Sequence, residues 1–275
     1  MSTAYLGTSA FAAAVLERLA ATPHRPALVV TRPDRPAGRG RVLTPPPVAT
    51  TARELGLEVI QPESVNTDEV TEQILASGAE LGVVCAFGAL IKDPLLSRLE
   101  LLNVHPSLLP RWRGAAPVER AIMAGDPETG VSIMRVTAGL DSGPVCLAEA
   151  EPIRPDDDYA SLAARLENLG ARLLVRVLDE RPPCVEQDEA GVTYAEKIGP
   201  ADRTLDPDAP AELNERIVRA LHPHIGARLA LPDGTFLGVQ RARVGDDGSL
   251  ELLEVQPPGG RPMPYADYLR GHAAR

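Results

Sequence analysis

The stretch NVHPSLLPRWRGAAP, residues 103–117, decides how the chain is read. Asn103 and His105 stand two residues apart at the end of an apolar run that begins at Leu101. The two-residue period of a strand turns both side chains to the same side of a sheet. Two prolines and a group of arginines follow before Pro117 can open a helix. Polar side chains at the carboxyl end of a strand, leading into a long loop, mark where open α/β sheets carry their sites.

On either side of this stretch, short apolar runs alternate with helical patterns, the signature of stacked βαβ units and a mostly parallel sheet. Strands are expected at 5–6, 27–30, 58–60, 81–87, 101–105 and 131–136. Between them Phe11, Val15 and Leu19 recur at helical spacing, and a helix over 51–55 ends at Gly56. Another over 68–76 has Asn66 or Thr67 to cap it and Gly78 to stop it, while Asp93-Pro94 reads as a cap followed by proline at the first helical position. Leu162, Leu166, Leu169, Leu173 and Val177 form a continuous apolar stripe, read as the core face of a longer helix. GTSAF at 7–11 is not G-x-G-x-x-G, so the first turn is not expected to cradle a phosphate.

Between 181 and 208 the texture changes to prolines, acids and turn residues. A linker is expected over 186–206, separating a domain over 1–185 from a small one over 207–275. The latter shows a helical pattern at 213–221 and three strand-like pieces at 227–231, 236–244 and 250–255, set apart by PDG and DDG turns.

Composition narrows the function. Of 275 residues 44% are hydrophobic, enough for a core, yet no apolar run approaches a membrane span of about 20 residues. MSTAYLGTSAF lacks the basic and long apolar regions of a secretory signal. Cys85, Cys146 and Cys184 are odd in number and far apart, which argues against a disulfide framework or a metal site and for a reducing cytoplasm. Cys85, in LGVVCAF, reads as a small buried hydrophobe. The net charge of −10 excludes a uniformly basic nucleic-acid binder. Locally, however, residues 25–53 hold six arginines against one acid, and Arg111, Arg113 and Arg120 make a second cluster. Each cluster can be a solvated loop or a phosphate-binding face.

Asp141, in TAGLDSGP, adds a carboxylate on a glycine-bounded loop. An amide and an imidazole to hold an oxyanion, with a carboxylate to relay protons, suit acyl transfer to an amine without a covalent enzyme intermediate. There is no G-x-S-x-G elbow, and no cysteine lies near a histidine in sequence. Trp112 is either a buried anchor or a stacking platform, and His222-Pro223-His224 reads as structural, two histidines alone seldom sufficing for a metal.

Five strings, GTSAF, TRPDRPAGRGR (31–41), HPSLLPRWRGAAP, VTYAEKI (192–198) and ALHPHIGARL (220–229), resemble the formyl-folate transferase superfamily, in particular its members that formylate methionyl-tRNA. The resemblance implies a Rossmann-like α/β formyltransferase domain with a mostly parallel sheet, followed by an OB-like β-rich domain. It implies 10-formyltetrahydrofolate as formyl donor, no metal, and catalytic Asn103, His105 and Asp141. Asn103 and a cationic His105 would hold the oxyanion while Asp141 keeps His105 charged and relays the proton. Ser107, Leu108, Leu109 and Pro110 match the folate segment. Arg35, Arg39 and Arg41 match a loop that inserts against the acceptor end of initiator methionyl-tRNA. The expected enzyme is monomeric and cytoplasmic. One departure is evident: an OB barrel has five strands, and the chain passes from VQRARV through GDDG to LELLEV with only three, so the second domain is expected to be shortened. Transfer to another amine, such as a nucleotide sugar or glycinamide ribonucleotide, would use the same triad, as would hydrolysis. A nonenzymatic RNA-binding protein would not need it, and a dehydrogenase lacks its glycine fingerprint.

Overall fold

TAYLG, buried at every residue, forms the first strand of a sheet covered on both faces, where polar alternation is not needed. The computed structural model describes residues 1–37 and 40–272, so the expectation for Arg39 lies outside the described residues. In chain order the first half comprises β1 (Thr3–Gly7), α1 (Ala10–Ala20), β2 (Pro26–Val30), β3 (Arg35–Ala37), β4 (Val42–Thr44), α2 (Pro47–Glu54), β5 (Val59–Ile60), α3 (Asp68–Ala76), β6 (Leu81–Cys85), α4 (Leu95–Arg98) and β7 (Leu101–His105). There follow β8 (Arg113–Gly114), α5 (Pro117–Ala124), β9 (Glu128–Arg135), β10 (Val145–Pro152), α6 (Tyr159–Glu180), β11 (Tyr194–Ala195), α7 (Ala211–Leu221), β12 (Ala227–Ala230), β13 (Phe236–Val244), β14 (Leu250–Gln256), β15 (Met263–Pro264) and α8 (Tyr265–His272).

The chain divides into two compact units. The first comprises Met1–Ala115, Gly130–Glu151 and Ala164–Tyr194. Its sheet runs in the order β10-β9-β7-β6-β1-β2-β5. β5, β2, β1, β6 and β7 pair in parallel, and β9 turns antiparallel to β7 with Ser132 opposite His105. The five residues of the apolar stripe on α6 are all buried, as their helical spacing requires. Caps follow the expected chemistry in two helices: Ser9 Oγ accepts from Ala12 N at the start of α1, and Thr67 Oγ1 accepts from Val70 N at the start of α3. Asn66, the other candidate cap, instead donates to the Leu90 carbonyl and accepts from Lys92 N. At Asp93-Pro94 the expectation fails, because α4 begins only at Leu95, with Pro94 as its capping residue and no side-chain cap bond.

Gly7 shows why GTSAF departs from a phosphate loop. A Cβ there would lie 2.8 Å from the Tyr5 ring and 2.9 Å from Ala12 Cβ, so the glycine serves close packing of α1 on β1. Burial pushes the Cys85 thiol up to about 12, consistent with its reading as an inert core residue. The other two cysteines correct the sequence expectation: Cys146 and Cys184 form a disulfide. Val145 and Val185 exchange backbone hydrogen bonds of 2.8 and 2.9 Å, and this long-range bridge sets the cysteines side by side. Sequence spacing holds no trace of it.

The second unit comprises Ala116–Thr129, Pro152–Ala163 and Ala195–Arg275. It contains an antiparallel sheet in the order β12-β13-β14-β15. The expected three strands become four, because Met263–Pro264 adds a two-residue edge too short for alternation to reveal. The sheet is open, with β12 and β15 as its edges. Arg120 pairs with Asp202 at 2.8 Å, and His224 bonds Glu119 at 2.9 Å while stacking on Tyr159, so the His222-Pro223-His224 run sits among structural partners. No described helix is long and apolar enough to cross a membrane.

Candidate active site

β7 carries Asn103 and His105 to one side of its carboxyl end, and the loop after β9 brings Asp141 against both. Asn103 Nδ2 donates to Asp141 Oδ1 over 3.2 Å. The second carboxylate oxygen, Oδ2, accepts from the Gly114 backbone N–H over 2.8 Å. His105 Nδ1 stands 3.7 Å from that same oxygen, an ion-pair separation too long for a hydrogen bond. On the other side of the ring, Nε2 lies 2.9 Å from the carbonyl oxygen of Trp112. A carbonyl only accepts, so Nε2 carries a proton, and Nδ1 is the nitrogen that faces Asp141. The three residues singled out from sequence for chemistry therefore converge, with the His105 side chain 4% exposed and that of Asp141 16%.

The supporting backbone is constrained. Trp112 and Asp141 adopt left-handed conformations, with φ of 63° and 45°. Each costs about 1–3 kcal/mol and persists only where surrounding bonds hold it. Gly114, at φ 122°, takes a conformation that side-chain-bearing residues rarely adopt, and thereby aims its N–H at Asp141. Thr193 anchors the same turn: its Oγ1 accepts from Trp112 N at 2.9 Å and its carbonyl accepts from Arg113 N at 2.9 Å. Trp112 thus enters the site through its main chain, while its ring lies 4.4 Å below the Arg111 guanidinium.

The segment matched to folate binding follows directly from β7. Ser107 is fully buried and donates its hydroxyl to the Arg111 carbonyl over 2.6 Å, so that side chain faces the protein. Ser132 Oγ donates to the Ser107 carbonyl at 2.8 Å and accepts from Leu109 N at 3.1 Å. Leu108, Leu109 and Pro110 remain half-buried. Arg35 and Arg41 are exposed around the β3–β4 hairpin, beside exposed Val42 and Leu43, and neither bonds to the Asn103, His105 and Asp141 cluster among the described residues. The second arginine cluster disperses: Arg113 is buried and bonded to Gln187 and Glu189. Sequence reading missed Gly114, Ser132, Gln187, Thr193 and the Trp112 carbonyl as parts of the site. Only the strings PRWRGAAP and VTYAEKI hinted at three of them, Trp112, Gly114 and Thr193. Among the described residues no group of three or more histidines, cysteines or acids could hold a metal.

Comparison with known proteins gives the chain its kin. Residues 1–178 match the family model described as Formyl transferase. A methionyl-tRNA formyltransferase of Methylococcus capsulatus is 42% identical over 301 residues, covering 99% of this chain and 97% of the relative. That of Halorhodospira halophila is 43% identical, covering 97% and 95% respectively. The match of 301 positions exceeds the 275 residues available, so the alignment bridges positions that this chain lacks. A crystal structure of HypX from Aquifex aeolicus in complex with tetrahydrofolic acid superimposes with a TM-score of 0.66 at 17% identity, covering 97% of this chain and 46% of that one, a likeness of fold. With a family model over most of its length and relatives matching it nearly end to end, the chain belongs to the formyl transferase family, among the methionyl-tRNA formyltransferases.

Proposed function

We propose that this protein transfers the formyl group of 10-formyltetrahydrofolate to the amino group of initiator methionyl-tRNA, giving the formylated tRNA used to start translation. The observation that carries the reading is the cluster of Asn103, His105 and Asp141, joined by the Asn103–Asp141 hydrogen bond, in a chain matched over nearly its whole length by methionyl-tRNA formyltransferases. The donor set fits a formyl oxygen turning anionic. One N–H of Asn103 is held by Asp141, which leaves the second to donate outward. His105, fixed at Nε2, has Nδ1 for a charge-assisted bond.

The amine nitrogen forms a bond to the formyl carbon, the carbonyl electrons move to oxygen, and the bond from carbon to the folate nitrogen then breaks. One proton passes from the amine to that leaving nitrogen. Asn103 and a cationic His105 stabilise the oxyanion, and Asp141 carries the proton directly or through water. Two donors that oppose the developing charge, and cost no reorganisation, lower the barrier more than they tighten substrate binding.

Ser107, Leu108, Leu109 and Pro110 are assigned to the folate, with Ser107 shaping the segment, since its hydroxyl bonds Arg111, its N–H the His105 carbonyl and its carbonyl Ser132. Arg35, Arg39 and Arg41 are assigned to tRNA phosphates, whose contacts supply affinity that salt weakens. Residues 1–185 are assigned as the catalytic domain, 186–206 as the connecting stretch, whose first part to Tyr194 packs within the catalytic unit, and 207–275 as a shortened OB-like domain. The protein is taken to act in the cytoplasm as a monomer. The test is incubation with 10-formyltetrahydrofolate and either methionyl-tRNA, free methionine or water. Formyl transfer to methionyl-tRNA alone supports the reading; tetrahydrofolate release without an acceptor replaces it with hydrolysis.

A further inference from the structure

The carboxylate of Asp141 is held from the front by Asn103 and Gly114, but its left-handed backbone needs support from behind. That support comes from a residue 46 positions away, Gln187, in the polar stretch EQDEAG. Its Nε2 donates to the carbonyl of Asp141 and to the carbonyl of Gly143, each over 2.8 Å. Its Oε1 accepts from Arg113 Nε at 3.0 Å and Nη2 at 2.9 Å. All four bonds of one amide are thus spent on two segments that meet at the triad: the Asp141 loop and the turn whose next residue, Gly114, bonds the Asp141 carboxylate. The segment carrying Gln187 is itself pinned beside β10 by the Cys146–Cys184 disulfide and the Val145–Val185 bridge.

We infer that Gln187 is a positioning residue for the transfer reaction: its amide holds the Asp141 loop and Arg113 in register, fixing the carboxylate relative to Asn103 and His105. Three features set it apart from a polar residue that only satisfies its surroundings. Both of its N–H groups go to the loop bearing Asp141, and one of them to the main chain of Asp141 itself. Its oxygen accepts two hydrogen bonds from a buried guanidinium, which ties the amide's orientation: turned over, it would present N–H groups to Arg113 and a carbonyl oxygen to two carbonyls. Finally, Arg113 has a second partner in Glu189 at 3.1 Å, so the charge is not left bare when Gln187 changes.

The inference rests on the formyl-transfer reading, and two readouts keep the failures apart. Gln187→Glu retains an acceptor for Arg113 but replaces both donors with oxygen, which repels the Asp141 and Gly143 carbonyls. Gln187→Ala removes both links. Loss of fixed geometry at the reacting groups is expected to lower kcat on the order of 10- to 100-fold in both variants, with the KM for 10-formyltetrahydrofolate within about threefold of the parent. Hydrogen exchange of the backbone amides over 140–143 should quicken in both, while Gln187→Glu, which gains an ion pair to Arg113, melts closer to the parent than Gln187→Ala. Parental kcat and parental exchange in Gln187→Glu overturn the inference. So does a folate KM that rises by the same factor as kcat falls, which marks Gln187 as support for folate binding. If the parent itself forms no formyl-methionyl-tRNA, the functional reading falls, and the exchange measurement still decides whether Gln187 holds the Asp141 loop.

Discussion

Asn103→Ala separates transition-state stabilisation from binding and from folding. The side chain has two N–H donors, of which Asp141 Oδ1 takes one at 3.2 Å. Loss of the outward donor removes an oxyanion contact worth about 3 kcal/mol, or about 100- to 1,000-fold in the chemical step. Loss of the inward donor is a ground-state effect. Hydrogen bonds to charged groups contribute about 1.5–3 kcal/mol, and because the Asp141 side chain is 16% exposed, water recovers part of that. A net loss of about 1–2 kcal/mol corresponds to roughly 2–4 °C in melting temperature for a chain of this size. Single-turnover formyl transfer, with both substrates saturating, measures the chemical step directly, while equilibrium titration gives the folate Kd. The expected result is a rate at least 100-fold lower with a folate Kd within about threefold. A single-turnover rate within tenfold of the parent would refute the oxyanion role, and a folate Kd weakened as much as the rate would recast Asn103 as a binding residue.

Three further outcomes are expected. Ser132→Ala leaves the Ser107 carbonyl and the Leu109 N–H without their shared partner, so it should cost about 1–3 kcal/mol in urea unfolding and raise the folate KM more than it lowers kcat; unchanged stability and KM would remove Ser132 from the support of that segment. Replacing Arg35 and Arg41 together with alanine should weaken methionyl-tRNA binding and flatten the slope of log K against log salt by about 1.5, leaving folate affinity alone, and an equal loss of activity with a short amine acceptor would show that these arginines do not serve the tRNA. Reduction of the Cys146–Cys184 disulfide, which spans a sequence separation of 38, should lower unfolding free energy by about 4 kcal/mol through released loop entropy, whereas a Cys146→Ser, Cys184→Ser variant should unfold identically with and without reductant; insensitivity of the parent to reductant would contradict this.

The sequence by itself determined β1, β2, β5, β6, β7 and β9 and the helices that accompany them, because these rest on local rules: continuous apolar runs for strands buried on both faces, the repeated spacing of Leu162, Leu166, Leu169, Leu173 and Val177, and caps such as Thr67. It also determined that Asn103 and His105 share one side of β7, since strand period and a strand end suffice for that. It did not mark the edge strand β10, whose residues are mostly exposed or half-buried, or the short β3–β4 hairpin. Tertiary structure decided the rest. Asp141 meets the pair only because the loop after β9 returns to the end of β7, a fact of sheet order. Arg113 looked like a surface cation and is buried, since a planar guanidinium can enter the protein where Gln187 and Glu189 are waiting 74 and 76 residues later. Cys146 and Cys184 looked unpaired because a 38-residue separation has no local signature, and only the Val145–Val185 bridge joins them. What governs local backbone choice was legible one residue at a time; what depends on two distant segments satisfying each other's polar groups is fixed only when the chain closes on itself.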